Sequence, residues 1–172
     1  MMTNARNRTT YQWKTKNILR IATWNIKSLN TREQELTKEL MDAKVDICAL
    51  QETRKKGKGQ IMLDNYIMIY SGVPKETRAK EGVAILVQKR LTIQIEECKY
   101  ESKRNVAIRM RLGEELVNII GIYAPENNRE QNIRERFFED LKTSINDMPS
   151  KGSMIVLDDF NDRIGNDIIP GI

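Results

Sequence analysis

An α/β fold is predicted for this chain by three observations. Short apolar runs recur, and they end on polar residues or proline: Leu19 to Trp24 at Asn25, Val45 to Leu50 at Gln51-Glu52, Leu116 to Tyr123 just before Pro125, and Met154 to Leu157 at Asp158-Asp159. Runs of roughly four to eight apolar residues suit buried strands. Two other stretches, Thr31 to about Lys44 and Asn128 to about Asp147, carry apolar residues at helical spacing. Strand-like and helix-like segments alternate along the chain, with no internal repeat, low-complexity tract or linker.

In order, Leu19 to Trp24 is apolar and β-prone. Thr31 is the expected start of a helix, with Gln34 as a capping-box partner and Leu36, Leu40 and Met41 on one face. Val45 to Leu50 is the second expected strand, followed by the basic loop Arg54-Lys55-Lys56-Gly57-Lys58. Ile61 to Tyr70 is expected as one strand, Ser71 to Glu81 as a charged loop and Gly82 to Gln88 as a further strand. Leu91 to Glu97 alternates, as does Val106 to Leu112, where Val106, Ile108, Met110 and Leu112 face one way and Arg109 and Arg111 the other. Gly113-Glu114 is the expected hairpin turn before Leu116 to Tyr123. Ile133, Phe137, Phe138, Leu141 and Ile145 line the second helix, and Met154 to Leu157 is the last strand.

At 172 residues with 40% apolar content, the chain has the size of one domain with a substantial core. No apolar run approaches the ~20 residues of a membrane span, and the N-terminus lacks the apolar segment of a secretory signal. Cys48 and Cys98 are the only cysteines and histidine is absent, which excludes a structural zinc site. An intracellular setting, nucleus or cytoplasm, is the expectation. The net charge of +5 comes from the start of the chain, where Arg6, Arg8, Lys14, Lys16 and Arg20 meet no acid. Residues 1–16 are expected as a flexible basic arm, and 17–172 as the folded part.

The strand ends share a pattern. Asn25, Glu52, Tyr123 and the Asp159-x-Asn161 pair each stand where an apolar strand stops. Each has an ordinary reading: Asn25 as a cap, Glu52 as a solvated strand end, Tyr123 as a core ring with a wet hydroxyl, Asp159 and Asn161 as turn residues. Together, on strands lying side by side, they suggest one site along a sheet edge.

The strings Arg20 to Ile26 (R-I-A-T-W-N-I), Val45 to Thr53 (V-D-I-C-A-L-Q-E-T), Glu81 to Val87 (E-G-V-A-I-L-V), Ile119 to Pro125 (I-I-G-I-Y-A-P) and Val156 to Gly165 (V-L-D-D-F-N-D-R-I-G) resemble the endonuclease/exonuclease/phosphatase superfamily. The likeness is to its DNase I-like nucleases, above all to the endonuclease domains of non-LTR retrotransposons and the related craniofacial development protein 2-like sequences. It covers about residues 19–172. The resemblance implies a four-layer α/β sandwich of two mixed sheets with helices outside, represented by about its first two-thirds. It implies Asn25 arranging the metal end of the site and Glu52 as the principal Mg2+ ligand, with Mn2+ a substitute. Tyr123 would point its hydroxyl at the scissile phosphate. Asp159 would orient or deprotonate the attacking water, and Asn161 would donate to phosphate oxygens. DNA is the implied partner; no membrane or organic cofactor is implied. Arg54, Lys55, Lys56 and Lys58 could attract a polyanion, as could Arg104, in a region where relatives often carry a backbone-binding arginine. A solvated charge run is the alternative for the loop.

Three departures from the family pattern stand out. Asp158 occupies the place of the motif glycine, Glu126 follows Tyr123-Ala124-Pro125 where several relatives have Asn, and no Ser-Asp-His motif occurs by Ile172. The expectation is therefore a DNA endonuclease type, retroelement-derived, impaired in this form. A non-catalytic remnant binding nucleic acid or protein, or a phosphatase of the same superfamily, is the alternative. The second sheet is expected to be largely missing, leaving its partner surface exposed.

Overall fold

In the computed structural model, residues 7–13, 17–126, 128–149 and 152–158 are described. Strands β1 (Asn7–Trp13), β2 (Asn17–Asn25), β3 (Ile47–Gln51), β4 (Lys58–Met62), β5 (Tyr66–Ser71) and β6 (Val83–Gln88) form one sheet in the order β1-β2-β3-β6-β5-β4. Strands β7 (Ile95–Ser102), β8 (Asn105–Leu112), β9 (Glu115–Ile122) and β10 (Ser153–Leu157) form a second sheet in the order β10-β9-β8-β7. Both are mixed: β2 pairs with β3, and β9 with β10, in parallel, and the other pairs are antiparallel. Parallel neighbours need a crossover, which helix α1 (Glu33–Asp42) and helix α2 (Gln131–Asn146) supply.

Alternation along the strands sorts the side chains into layers. Leu19, Ile21, Ile47, Ala49 and Ile85 from the first sheet meet Val106, Ile108, Val117, Ile119 and Leu157 from the second. The intervening residues Ala22, Trp24, Cys48, Leu50 and Leu86 face outward under Leu36 and Leu40 of α1. Ala107, Ile120 and Ile122 face outward beneath Phe137 of α2. The result is four layers: helix, sheet, sheet, helix. Each fully buried Ile or Leu contributes about 1.5–3 kcal/mol. The inner face of the first sheet is thus covered, not exposed as expected, because β7 to β10 already form a second four-stranded sheet, its β7–β8 pairing shifting register between Ile95 and Glu97 and between Lys99 and Ser102.

Gly121 sets the distance between the sheets. A Cβ there would stand 3.1 Å from Ile85 Cγ1 and 3.6 Å from the Ala49 Cβ, so a side chain would push the sheets apart.

Several local expectations change. Asp64 and Asn65 interrupt the expected single strand and turn it into the β4–β5 hairpin, closed by Leu63 N–H donating to the Tyr66 carbonyl at 2.8 Å. Lys89–Gln94 is a 3-10 turn rather than a strand. It carries the chain between the sheets, with Leu91 buried and Ile93 88% exposed. Helix α1 starts at Glu33, without a side-chain cap at Arg32. Thr31 sits in the left-handed region with φ 55°, and its hydroxyl turns back to the Asn30 carbonyl at 2.8 Å, so the capping box does not form. Helix α2 docks through a narrower stripe than expected. Phe137 and Ser144 are buried and Leu141 half-buried, with Met148 buried just past the helix end, whereas Ile133, Phe138 and Ile145 are exposed. Asn105 Nδ2 donates to Ser144 Oγ at 2.7 Å and fixes the helix on β8. Within the expected flexible arm, Asn7–Trp13 pairs along its whole length with β2, as the β-prone Thr9-Thr10-Tyr11 allows.

Candidate functional site

The ends of β2 and β3, the start of β6 and the end of β9 lie at one edge of the sandwich. Asn25 and Gln51 are register partners on parallel strands, which brings Asn25 beside the residue following Gln51. Asn25 Nδ2 donates to Glu52 Oε1 at 2.7 Å, and Asn25 Oδ1 accepts from the Lys27 N–H at 3.1 Å. The amide is therefore oriented from both sides.

Glu52 and Arg54 both have left-handed backbones, with φ 53° and 54°. Non-glycine residues held there cost about 1–3 kcal/mol each and persist only where surroundings over-determine them. Here the Thr53 N–H donates to the Gly82 carbonyl and the Leu29 N–H to the Thr53 carbonyl, each at 3.0 Å. Gly82 must lack a side chain, since a Cβ would stand 2.4 Å from Thr53 Oγ1. The glycine of the E-G-V string is thus what lets the strained turn carrying Glu52 seat against β6.

Behind this pair the apolar core ends in a polar node. Thr23 and Gln51 point inward, continuing the rows Leu19-Ile21 and Ile47-Ala49. Gln51 is fully buried; its Nε2 donates to Thr23 Oγ1 at 2.8 Å and to the Ile122 carbonyl at 3.4 Å in the facing sheet. Thr23 Oγ1 lies 3.5 Å from the Asp158 carbonyl at the end of β10. Two residues thus tie together the ends of β2, β3, β9 and β10, from which the candidate residues emerge. Gln51 is present in the Gln-Glu string, but its inward direction is visible only once strand parity is known.

Tyr123 is buried next to Glu52. Burial, and then the negative charge of Glu52, push its phenol pKa up to about 12. Arg104 holds the tyrosine from below: Nη1 donates to the Tyr123 carbonyl at 2.9 Å, and the guanidinium lies over the ring at 4.7 Å. Arg104 Nη2 reaches Glu81 Oε1 and Lys103 Nζ reaches Glu81 Oε2, both at 2.6 Å. Burial disfavours the Glu81 charge, but the Lys103 and Arg104 contacts outweigh it and hold the carboxyl below its ordinary range. Arg104, expected as a phosphate ligand, is 7% exposed and engaged with Tyr123 and Glu81. Glu81 opens the E-G-V string but that string assigns it no task, and Lys103 carries no distinguishing sequence signal; only the fold joins them to the site.

The basic loop divides. Lys55 Nζ pairs with Glu33 at 3.1 Å and lies 5.8 Å from the centre of the Tyr70 ring, and Lys56 Nζ donates to the Lys75 carbonyl at 2.9 Å. Arg54 and Lys58 are exposed. Asp159 and Asn161 lie outside the described residues.

The donor set suits a hard divalent cation: the Glu52 carboxylate beside the oriented Asn25 amide, with neutral Tyr123 adjoining. Mg2+ takes oxygen ligands and keeps several waters, so one or two carboxylates suffice. Among the described residues, no cluster of three or more His, Cys, Asp or Glu forms a fuller cage, and no helix is long and apolar enough to cross a membrane.

Residues 22–166 match the Endonuclease/Exonuclease/phosphatase family. Craniofacial development protein 2 from Bos taurus is 29% identical over 153 residues, which cover 88% of this chain and 26% of that protein. The chain thus spans about a quarter of the length of the curated relatives it matches. Among solved structures, the endonuclease domain of TRAS1, a telomere-specific non-LTR retrotransposon, superposes with a TM-score of 0.62 at 16% identity, covering 84% of this chain and 60% of that one. The 3′ phosphatase NExo from Neisseria, bound to product DNA hairpin, superposes with a TM-score of 0.56 at 21% identity, covering 82% and 57%. At these identities the structural likeness establishes the fold; function rests on the site.

Proposed function

We propose that this chain, which belongs to the Endonuclease/Exonuclease/phosphatase family, is a Mg2+-dependent phosphodiester hydrolase acting on DNA and descended from a retroelement endonuclease. The observation that carries the reading is the meeting of Asn25, Glu52 and Tyr123 at one sheet edge, with Asn25 Nδ2 2.7 Å from Glu52 Oε1. The DNA-bound Neisseria phosphatase and the retrotransposon domain share the fold and support the choice of substrate and descent.

Each residue has a defined task. Glu52 would hold the cation, with Mn2+ a substitute for Mg2+, and Asn25, whose Nδ2 donates to Glu52 Oε1, fixes the carboxylate. A cation held there would supply positive charge to the phosphoryl oxygens as negative charge develops on them. Tyr123, its phenol kept protonated by burial and by Glu52, donates a hydrogen bond to a phosphate oxygen without repelling it. Arg104 and Glu81 hold Tyr123 in place. Asp159 takes the proton of the attacking water, and Asn161 donates to the phosphate. Arg54 and Lys58 add long-range attraction for the polyanion.

Nicking of supercoiled plasmid with Mg2+ tests this, alongside Mn2+ binding followed by calorimetry. Glu52→Gln is expected to abolish both. Tyr123→Phe is expected to lower the nicking rate by about 10²–10³ with metal binding intact. Nicking that survives Glu52→Gln would overturn the assignment. Retained metal and DNA binding with no hydrolysis at any metal concentration would favour a non-catalytic binding module, a reading that the extra carboxylate of Asp158 supports.

A further inference from the structure

Among the described residues the two sheets end in four edge strands, β1 and β4 in the first, β7 and β10 in the second. An edge strand presents backbone groups able to pair with another chain, and proteins guard such edges with charge, irregularity or cover. Three of the four are guarded. β7 carries Glu96, Glu97, Lys99 and Glu101 and shifts register twice against β8. β4 opens on Lys58-Gly59, and β1 reads N-R-T-T-Y-Q-W, with an arginine and no aliphatic residue. β10 reads S-M-I-V-L, without charge, proline or glycine, and pairs with β9 in unbroken register.

Both faces of β10 are apolar. Ile155 and Leu157 point into the core between the sheets, whereas Met154 and Val156 point outward, 40% and 39% exposed. Helix α2 leaves them bare because it leans toward β7 and β8, where Ile133 and Arg136 face a cleft beside the β7–β8 turn. At about 100° per residue, Phe138 and Ile145 fall on the opposite flank, the β10 side of the helix, and Phe138 is 58% exposed. The unguarded edge is thus bordered by apolar surface in the outer layer as well.

An antiparallel pairing of two such strands keeps the parity of both faces only when one residue meets its own copy. Centred on Val156, it would set Met154 against the Asp158 carboxylate. Centred on Ile155, it sets Met154 opposite the partner's Val156 outside and Ser153 opposite the partner's Leu157 inside, so every cross-strand pair lies within the uncharged run. We propose that β10 is a self-association surface, on which two copies of the chain pair antiparallel about Ile155 and join two four-stranded sheets into one. A two-fold contact of this kind uses the same surface twice. It sends the two candidate sites, each at the C-terminal end of β10, to opposite ends of the joined sheet, so both stay open. Five paired residues and a helix flank are fewer than the roughly 20–30 residues a side of a standard interface, so the dimer is weak and concentration-dependent.

Sedimentation equilibrium of the full chain over a range of concentrations is expected to show the average mass rising toward that of two chains. Val156→Lys, at an exposed outward position, is expected to raise the dissociation constant about tenfold or more, because the two-fold sets the new charges on neighbouring diagonals of one apolar strip. Ile93→Lys, at a more exposed apolar side chain in another part of the fold, is expected to leave it unchanged. Ile155→Cys is expected to cross-link two copies on mild oxidation. Residues facing each other in an antiparallel pair have Cα atoms roughly 4.5–5.5 Å apart, within disulfide reach. Met154→Cys, offset from its own copy, is expected not to cross-link, and neither is the unaltered chain, in which Cys48 is buried and Cys98 half-buried. A monomer at every concentration, an equal loss in Ile93→Lys, or cross-linking through Met154→Cys as readily as through Ile155→Cys would overturn the pairing. So would strong hydrogen-exchange protection of the β10 amides on both edges in a monomer, which would show that another part of the same chain covers the strand.

Discussion

Gln51 Nε2 lies 2.8 Å from Thr23 Oγ1, and the same amide reaches the Ile122 carbonyl of the opposing sheet at 3.4 Å. This bond closes the inter-sheet core on the side where Asn25, Glu52 and Tyr123 emerge. Gln51→Leu is expected to leave the Thr23 hydroxyl with only its long 3.5 Å approach to the Asp158 carbonyl and to lower stability by about 1–3 kcal/mol in urea denaturation. Adding Thr23→Val is expected to recover much of that loss, because exchanging both polar partners for apolar groups of similar shape is nearly neutral. Hydrolysis is expected to stay low in the double variant, since Tyr123 and Glu52 would then sit on strands no longer tied together.

Gly121→Ala is expected to cost about 1–3 kcal/mol by overpacking. The new methyl would stand 3.1 Å from Ile85 Cγ1 in the centre of the core. Removing that contact with Ile85→Ala gives a double-mutant cycle. The paired variant is expected to be more stable than the sum of the single changes by about 0.5 kcal/mol or more. Simple additivity in the thermal melts would show that the sheets are not held at contact distance there.

Glu81→Ala leaves the Arg104 guanidinium buried without its counter-charge, at an expected cost of about 3 kcal/mol. The sign of its pH dependence follows from the Glu81 carboxyl being held below the ordinary 4.5, by Lys103 and Arg104 against the opposing effect of burial. Its contribution is present above that value and lost as pH falls through the folded one. The gap between wild type and Glu81→Ala should therefore narrow in acid. A gap that widens would contradict the ion-paired geometry.

Two phenols ionise late. Burial pushes both Tyr66 and Tyr123 above the ordinary value of 10.0, Tyr123 to about 12. The Tyr66 hydroxyl donates to the Val45 carbonyl at 2.6 Å, which also favours the protonated form. Their stabilising contribution is fully present below pH 10.0 and is lost as pH rises through the folded values. Absorbance titration should show these phenols ionising late, with unfolding above about pH 10 to 12. Tyr123→Phe should remove one late phenol without altering stability near neutral pH.

Asp158→Gly is expected to raise the nicking rate about tenfold, equal to about 1.4 kcal/mol of relieved repulsion toward the incoming phosphate. Both side-chain oxygens of Asp158 are shielded from solvent at the end of β10. A rate that does not rise would place the limitation elsewhere.

Periodicity and composition alone determined much of the fold. The apolar runs ending at Asn25, Gln51 and Tyr123, and the alternation of Val106, Ile108, Met110 and Leu112, follow from burial of one or both strand faces, a property that side chains carry with them. The resemblance of the E-G-V and Tyr-x-Pro strings pointed to the family for the same reason: glycine and tyrosine are needed at particular backbone positions whatever surrounds them. Other features depended on contacts between segments distant in sequence. Arg104 is apart from Glu81 along the chain, and only the pairing of β8 with β9 and the meeting of the sheets decides that its charge goes to Glu81 and Tyr123 rather than to solvent. Lys58, Lys103 and Arg136 come from three elements and share a cleft only after α2 docks on the second sheet. Pattern reports which face of an element is apolar, because transfer from water is a local property. Which charges meet is set by register and layer packing, and those are fixed only by the whole chain.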